Sequence, residues 1–241
     1  MKKIITLTMF DLKYVFRDFM LVVSILAPIM LSLLFRFALP VISSFVEGRF
    51  SVNLSAYSDL FIIILLLVVP VMQGLFAAFI ILDEQDEQIL SFVSVTPLTK
   101  EGYLIYRLGA PILINMVLSI VSLMIAGYSY VIEFSFIPIL ILLALKAPLV
   151  SLLVAGFAKN KVEGLAVSKL ASILLLVPFI YVFVEGPLKY LGGVLPPFWT
   201  VAAFMNLMNG STGEFWLYTT VSLATHILFI MILFNRFRKI I

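Results

Sequence analysis

The sequence predicts an all-α membrane protein with six membrane-spanning helices. Of its 241 residues, 63% are hydrophobic and only 12% are charged, and the mean hydropathy is +1.20. A soluble domain carries about 25% charged residues, so this composition is typical of an integral membrane protein. Because a spanning helix needs roughly 20 apolar residues, the chain has room for about six spans but not for a separate soluble domain of ordinary size.

Six long apolar runs locate the spans. We expect the spans at residues 20–40, 60–82, 108–126, 136–157, 166–184 and 215–234. A polar stretch over 43–59 follows the first span, and a basic loop over 158–164 precedes the fifth. The sequence therefore predicts one transmembrane domain over residues 1–241.

The distribution of lysine and arginine predicts the orientation of the spans. With six spans both termini lie on one side, and that side collects twelve basic residues, while only Arg49 and Lys189 fall on the other. The twelve are Lys2, Lys3, Lys13, Arg17, Lys100, Arg107, Lys159, Lys161, Lys169, Arg236, Arg238 and Lys239. Basic residues favour the cytoplasmic side, so we expect both termini in the cytoplasm. The net charge of +3 is then an orientation signal, and we expect no nucleic-acid partner.

The residues before the first span form an apolar stripe. Ile5, Met9, Leu12, Phe16 and Phe19 recur at spacings of four and three, which is the helical pattern. We expect an interfacial helix over residues 1–19 that lies along the bilayer surface. A plain extension of the first span is the alternative.

An acidic segment over residues 83–106 separates the second and third spans. It opens with Asp83, Glu84, Asp86 and Glu87, and its following residues are amphipathic on a helical wheel. Further on, Thr96 and Pro97 fit an N-cap with proline at the first helical position. The pattern predicts a cytoplasmic helix, a tight break and a second helix, and a solvated acidic loop is the alternative.

The segment over residues 185–214, between the fifth and sixth spans, is too broken to cross the membrane and too apolar for a solvated loop. Several prolines and glycines interrupt it, and Phe198, Trp199, Phe204 and Met205 give it an apolar side. We expect a re-entrant or interfacial segment on the outer face, since irregular backbone is tolerated at membrane depth against protein or water. The alternative is an ordinary loop anchored by Trp199.

Three polar residues inside the spans are candidates for a pathway or for contacts between helices. Lys146 lies near the middle of the fourth span, where a charged lysine costs roughly 2.5–3.5 kcal/mol. It requires a cavity, a carbonyl, an acidic partner or an anionic substrate, and snorkelling along a tilted helix is the alternative. His226, the only histidine, is expected to hydrogen-bond between helices, with a proton relay as the alternative. Gln73, beside Gly74, is expected to bond across a helix interface.

The sequence offers little to an enzyme. It has no cysteine, which excludes disulfides and thiolate metal sites, and a lone histidine does not build a metal site. It contains no GxxxxGK[ST] phosphate loop. We therefore expect neither catalysis nor a bound cofactor or metal in this chain.

The acidic segment resembles the corresponding region of the membrane subunits of type-2 ABC exporters. The residues that carry the resemblance are Glu84, Glu87, Thr96, Pro97, Leu98, Tyr103 and Leu104. In that family two membrane subunits, identical or paralogous, form a pathway, and each inserts a cytoplasmic coupling helix into a separate ATPase subunit. The resemblance implies two copies of an ABC ATPase as partners, which would bind ATP and Mg. It assigns the ATPase contact to Asp83, Glu84, Asp86, Glu87, Thr96, Pro97 and Leu98.

The resemblance implies a permease in the plasma membrane of a prokaryote that exports an amphipathic or apolar substrate, such as a drug, a peptide antibiotic or a lipid-like molecule. A proton-coupled secondary transporter is the alternative, and it requires carboxylates inside the spans. An intramembrane enzyme is a third hypothesis, and His226 without a catalytic companion argues against it.

Overall fold

The computed structural model describes residues 19–88 and 100–239, and that part of the chain is helical throughout, with turns but no β-strand. The α-helices are α1 Phe19–Phe50, α2 Ser58–Asp86, α3 Lys100–Ala126, α4 Ile137–Phe157, α5 Lys161–Ser172, α6 Val177–Phe183, α7 Pro196–Met208 and α8 Thr212–Arg238. Short 3-10 segments lie at Leu54–Tyr57, Ser129–Val131, Phe134–Phe136, Ile173–Leu176 and Gly186–Val194.

The predicted fold class is confirmed. Within residues 19–88 and 100–239, six helical stretches are long and apolar enough to cross a membrane. They are Val22–Phe50, Leu54–Asp86, Gly102–Ala126, Phe134–Phe157, Lys161–Phe183 and Thr212–Arg238. The predicted interfacial helix over 1–19 lies outside the described residues, apart from Phe19, and stays a prediction.

Two predicted span boundaries were wrong. The first helix does not end at Pro40 but continues to Phe50, because polar residues beyond the apolar run are still able to form helix. The fifth span is not one continuous helix over 166–184: it begins at Lys161 within the predicted basic loop, and a 3-10 segment, Ile173–Leu176, divides α5 from α6. Proline at the start of α6 explains the restart, since its missing N–H is no loss in a first helical turn.

Helices α2 and α4 form the centre of the bundle. Most of their apolar side chains are buried, and they pack closely against each other. A Cβ added at Gly74 of α2 would lie 2.6 Å from the Ala147 carbonyl oxygen and 2.7 Å from the Val150 Cβ. Only glycine permits this approach, and Gly74 therefore sets the spacing between the two central helices.

Helix α7 lies inside the segment for which a re-entrant or interfacial structure is predicted. It has 13 residues, most of them are buried, and it packs against α8. A helix of this length spans about 20 Å, which is shorter than the hydrocarbon core of about 30 Å. The structure thus supplies a short, buried helix at 196–208, and its placement in a bilayer stays a prediction.

The bundle has two distinct ends. Helices α2, α4 and α8 finish, and α3 and α5 begin, at what we call the charged end, which carries Asp83, Glu84, Arg107, Lys161 and Arg236. Helices α2, α4 and α8 begin at the opposite end, which we call the aromatic end because Tyr181, Tyr190, Phe198, Trp199 and Tyr218 cluster there.

Candidate functional site

At the charged end, Glu84 joins the end of α2 to the start of α3. The Tyr103 hydroxyl donates to Glu84 Oε2, and Arg107 Nη2 pairs with Glu84 Oε1. Arg107 Nε also donates to Oε2 over 3.1 Å, so the guanidinium binds the carboxylate with two nitrogens. The Arg107 and Glu84 side chains are only 19% and 15% exposed. A two-point, mostly shielded pair of this kind holds geometry better than a single surface ion pair.

Asp83 and Asp86 join the same end of α2 to the start of α5. Lys161 Nζ lies 2.6 Å from Asp83 Oδ2, and the Lys161 backbone N–H donates to Asp86 Oδ2 over 3.4 Å. Lys161 is the first residue of α5. Carboxylates near a helix N-terminus are stabilised by its free N–H groups and its dipole, so this contact also favours the start of α5.

The sequence just before α5 fixes where that helix begins. Asn160 caps it, since its Oδ1 accepts from the Glu163 N–H over 2.9 Å. The Glu163 carboxylate accepts in turn from the Lys159 N–H over 2.9 Å. This reciprocal arrangement is close to a capping box, and it places Lys161 where it meets the end of α2.

Arg236 near the end of α8 completes the charged end. Its Nε donates to the Gly156 carbonyl over 2.9 Å, and its guanidinium lies 4.0 Å from the centre of the Phe157 ring. Both partners belong to the last turn of α4, where carbonyl groups lack helical partners and a cation is favourable. Polar contacts at the charged end thus join α2 to α3 and α5, and separately join α8 to α4.

The predicted ATPase-contacting residues have different surroundings in the structure. Asp83, Glu84 and Asp86 bond within the chain, as described above. Glu87 is exposed in the turn after α2, and its backbone N–H donates to the Asp83 carbonyl. Thr96, Pro97 and Leu98 lie outside the described residues.

Sequence reasoning missed three partners of these acids. In the sequence, Arg107 and Lys161 contribute only to the orientation signal, and Tyr103 only to the family resemblance. Charge complementarity was the available signal, but it does not show which acid meets which base. Pairing Asp83 with Lys161 joins residues 78 positions apart, and no local periodicity predicts that.

Inside the bundle the structure brings Lys146 and His226 together. Both are fully buried, and Lys146 lies within electrostatic range of the His226 ring. His226 Nδ1 lies 2.8 Å from the Ser222 carbonyl, which can only accept, so Nδ1 carries the proton and Nε2 is an acceptor. Neither Lys146 Nζ nor His226 Nε2 has a hydrogen-bond partner within the described part of the chain. The expected bond from His226 to another helix is therefore not made there, because its Nδ1 bonds within α8 instead.

Gln73 is engaged separately, with α1. Its Nε2 donates to the Ser24 carbonyl over 2.9 Å, and both residues are buried. The contact joins two helices. A polar residue beside a small one favours such a contact, because the small residue lets the helices approach closely. Among the described residues, no group of three or more His, Asp or Glu side chains lies close enough to hold a metal ion.

Fold and site together define a polytopic, helical membrane protein whose charged end is organised by ion pairs. A family model described as "Fluoroquinolones export permease protein Rv2686c-like" matches residues 11–234, and the chain belongs to that family.

Two curated relatives come from Mycobacterium tuberculosis. They are the fluoroquinolones export permease protein MT2760 of strain CDC 1551 / Oshkosh and the fluoroquinolones export permease protein Rv2686c of strain ATCC 25618 / H37Rv. Each is 26% identical over 234 residues, which cover 95% of this chain and 91% of the relative. No solved structure matches the chain. The chain is therefore a multi-pass membrane protein of an export-permease family.

Proposed function

We propose that this chain is the membrane subunit of an ATP-driven exporter in the plasma membrane of a prokaryote, with both termini in the cytoplasm. It forms the pathway for an amphipathic or apolar substrate, and a drug of the fluoroquinolone class, named in both relatives, is the first cargo to test. Two membrane subunits, identical or paralogous, assemble with two copies of a cytoplasmic ABC ATPase.

The polar contacts of the charged end carry this proposal. Residues 89–99 connect α2 to α3, and the contacts of Glu84 with Tyr103 and Arg107 join the two helices where that connection leaves and returns. The ion pair of Asp83 with Lys161 links α5 to the same end of α2. A push on the connection therefore reaches three helices together, as a coupling element between a membrane domain and a motor requires.

The contacts divide the acidic residues into two groups. Asp83 and Glu84 position the helices, because their carboxylates are bonded within the chain. Glu87 is exposed and is the residue that we assign to the ATPase contact, together with Thr96, Pro97 and Leu98. ATP and Mg belong to the partner, since this sequence has no phosphate loop.

The test is affinity purification of the tagged chain from gently solubilised native membranes, followed by native mass spectrometry. We expect two membrane subunits with two ATP-binding subunits, and we expect Glu84→Lys combined with Glu87→Lys to release the ATPase. Glu133→Lys combined with Glu185→Lys controls for the reversal of two charges as such, because both glutamates are exposed near the opposite end. A chain that is isolated alone, whatever its charge variants, would overturn the proposal and favour proton-coupled transport.

Single variants separate positioning from contact. Glu87→Lys should leave the melting temperature of the purified chain unchanged while it lowers substrate-stimulated ATP hydrolysis by the complex. Glu84→Gln should lower both, because it weakens the link to Arg107. Equal behaviour of the two variants in both assays would contradict the assignment of roles.

A further inference from the structure

Five aromatic rings form a continuous cluster at the aromatic end. Phe198 is fully buried at its centre. It makes edge contacts with Tyr181, Tyr190 and Trp199, with ring centres 5.6, 6.2 and 5.3 Å apart. Trp199 is also stacked with Tyr190 and Tyr218 at 6.3 and 5.8 Å. The five rings thus pack against one another within one small region.

The ammonium group of Lys189 is held by two of these rings. Lys189 Nζ lies 5.1 Å from the centre of the Tyr181 ring and 5.3 Å from that of Tyr190. Both distances are within the range of a cation–π contact. No carboxylate in the described part of the chain forms a salt bridge with Lys189. Ring faces, and not a negative charge, therefore receive this cation.

The segment that carries Lys189 is fixed against the cluster by its own glycines. A Cβ added at Gly192 would lie 2.8 Å from the Phe198 ring, and one at Gly193 would lie 2.6 Å from the Trp199 ring. Trp199 Nε1 donates to the Gly193 carbonyl over 2.8 Å. The backbone of this segment is thus in direct contact with two of the rings, independently of the contacts made by the lysine side chain.

The charge of the aromatic end also favours a cation. The aromatic end carries more acids than bases: Glu47, Asp59, Glu133, Glu185 and Glu214 against Arg36, Arg49 and Lys189. Glu214 lies within electrostatic range of the Tyr181 and Tyr218 hydroxyls. A surface of this sign raises the local concentration of cations.

We propose that the aromatic cluster is a binding site for the ammonium group of an organic cation, and that the Lys189 ammonium is an internal occupant that such a ligand displaces. Quaternary and alkylated ammonium groups are the ligands that aromatic rings recognise in this way. The site would receive the basic amine of an amphipathic cargo, and this last step rests on the proposed function; the binding does not. The competing explanation is that the rings only anchor the chain in the bilayer interface.

The test uses the fluorescence of Trp199 in the full chain in lipid vesicles. The sequence has two tryptophans, so Trp216→Phe leaves Trp199 as the reporter. The probe is choline chloride, and its neutral counterpart of the same shape is 3,3-dimethylbutan-1-ol, with sodium chloride as the salt control. We expect a saturable change with choline only.

Variants of Lys189 test whether its ammonium group competes with choline for the site. Lys189→Met should tighten choline binding by about two- to fivefold, the factor that corresponds to loss of one exposed cation–π competitor. Lys169→Met removes an exposed lysine of α5 and should leave the affinity unchanged. Tyr190→Ala should weaken binding, whereas Tyr190→Phe keeps the ring face and should retain it.

Two results would overturn the proposal. One is equal responses to choline and to the neutral alcohol, which would identify an interfacial anchor. The other is the absence of a saturable response in both the Trp216→Phe chain and its Lys189→Met derivative. Either result leaves the ATPase co-purification of the proposed function unaffected, so the two failures are distinguishable.

Discussion

Replacing Gly74 by alanine tests the packing of the two central helices. The added Cβ would lie 2.6 Å from the Ala147 carbonyl oxygen and 2.7 Å from the Val150 Cβ, whereas ordinary contact begins at 3.4 Å. Helix α4 must therefore retreat by 0.7 to 0.8 Å, the difference between 3.4 Å and those two distances. The atoms that it meets are backbone and Cβ atoms, which cannot rotate away. Overpacking of this kind costs about 1–3 kcal/mol.

Gly109 in α3 offers the matched control. A Cβ added there meets nothing within 4 Å. Both substitutions gain the same helix propensity, about 1 kcal/mol for alanine over glycine. The difference in stability between Gly74→Ala and Gly109→Ala therefore isolates the packing cost.

The assay is thermal unfolding of the two purified variants in the same detergent. For a chain of this size 1 kcal/mol shifts the melting temperature by about 2–4 °C, so Gly74→Ala should melt about 2–12 °C below Gly109→Ala. Equal melting temperatures would refute the reasoning, because they would mean that α2 and α4 are not in backbone contact at Gly74.

Two further predictions concern buried charge and helix capping. Lys146→Met should raise the melting temperature, because the lysine ammonium has no hydrogen-bond partner within the described part of the chain. A charged lysine costs roughly 2.5–3.5 kcal/mol at mid-membrane. A lower melting temperature of the variant would contradict this. Asn160→Ala should lower stability by about 0.5–2 kcal/mol through loss of the α5 cap. Asn209→Ala serves as its control in thermal unfolding, since Asn209 is exposed and caps no helix N-terminus; equal losses would show that the cap contributes nothing.

The sequence was sufficient for the fold class because apolar runs of spanning length are a direct physical signal. It was less informative about where helices end. The apolar run that stops at Pro40 has the length needed to cross a bilayer, whereas the helix that contains it continues to Phe50. Pro178 is a sequence signal for the break before α6, and Asn160 and Glu163 are signals for the start of α5. Hydropathy does not contain either signal.

The candidate site could be predicted only in part. The acidic residues after the second span were identified from their charge and position, and Gln73 was expected to bond across a helix interface, as it does with Ser24. The link from Asp83 to Lys161 and the proximity of Lys146 to His226 depend on how distant helices pack. Such pairings follow from tertiary structure, and a single sequence does not show which distant residues come into contact.

The contact of Glu84 with Tyr103 and Arg107 has a consequence for protein engineering. It joins the end of α2 directly to the start of α3, so contacts between described residues already hold these two helices in register. We expect residues 89–99 to be exchangeable as a module between family members. A chimaera that keeps residues 1–88 and 100–241 and takes only the connection from a relative should fold as before, while its choice of ATPase follows the donor.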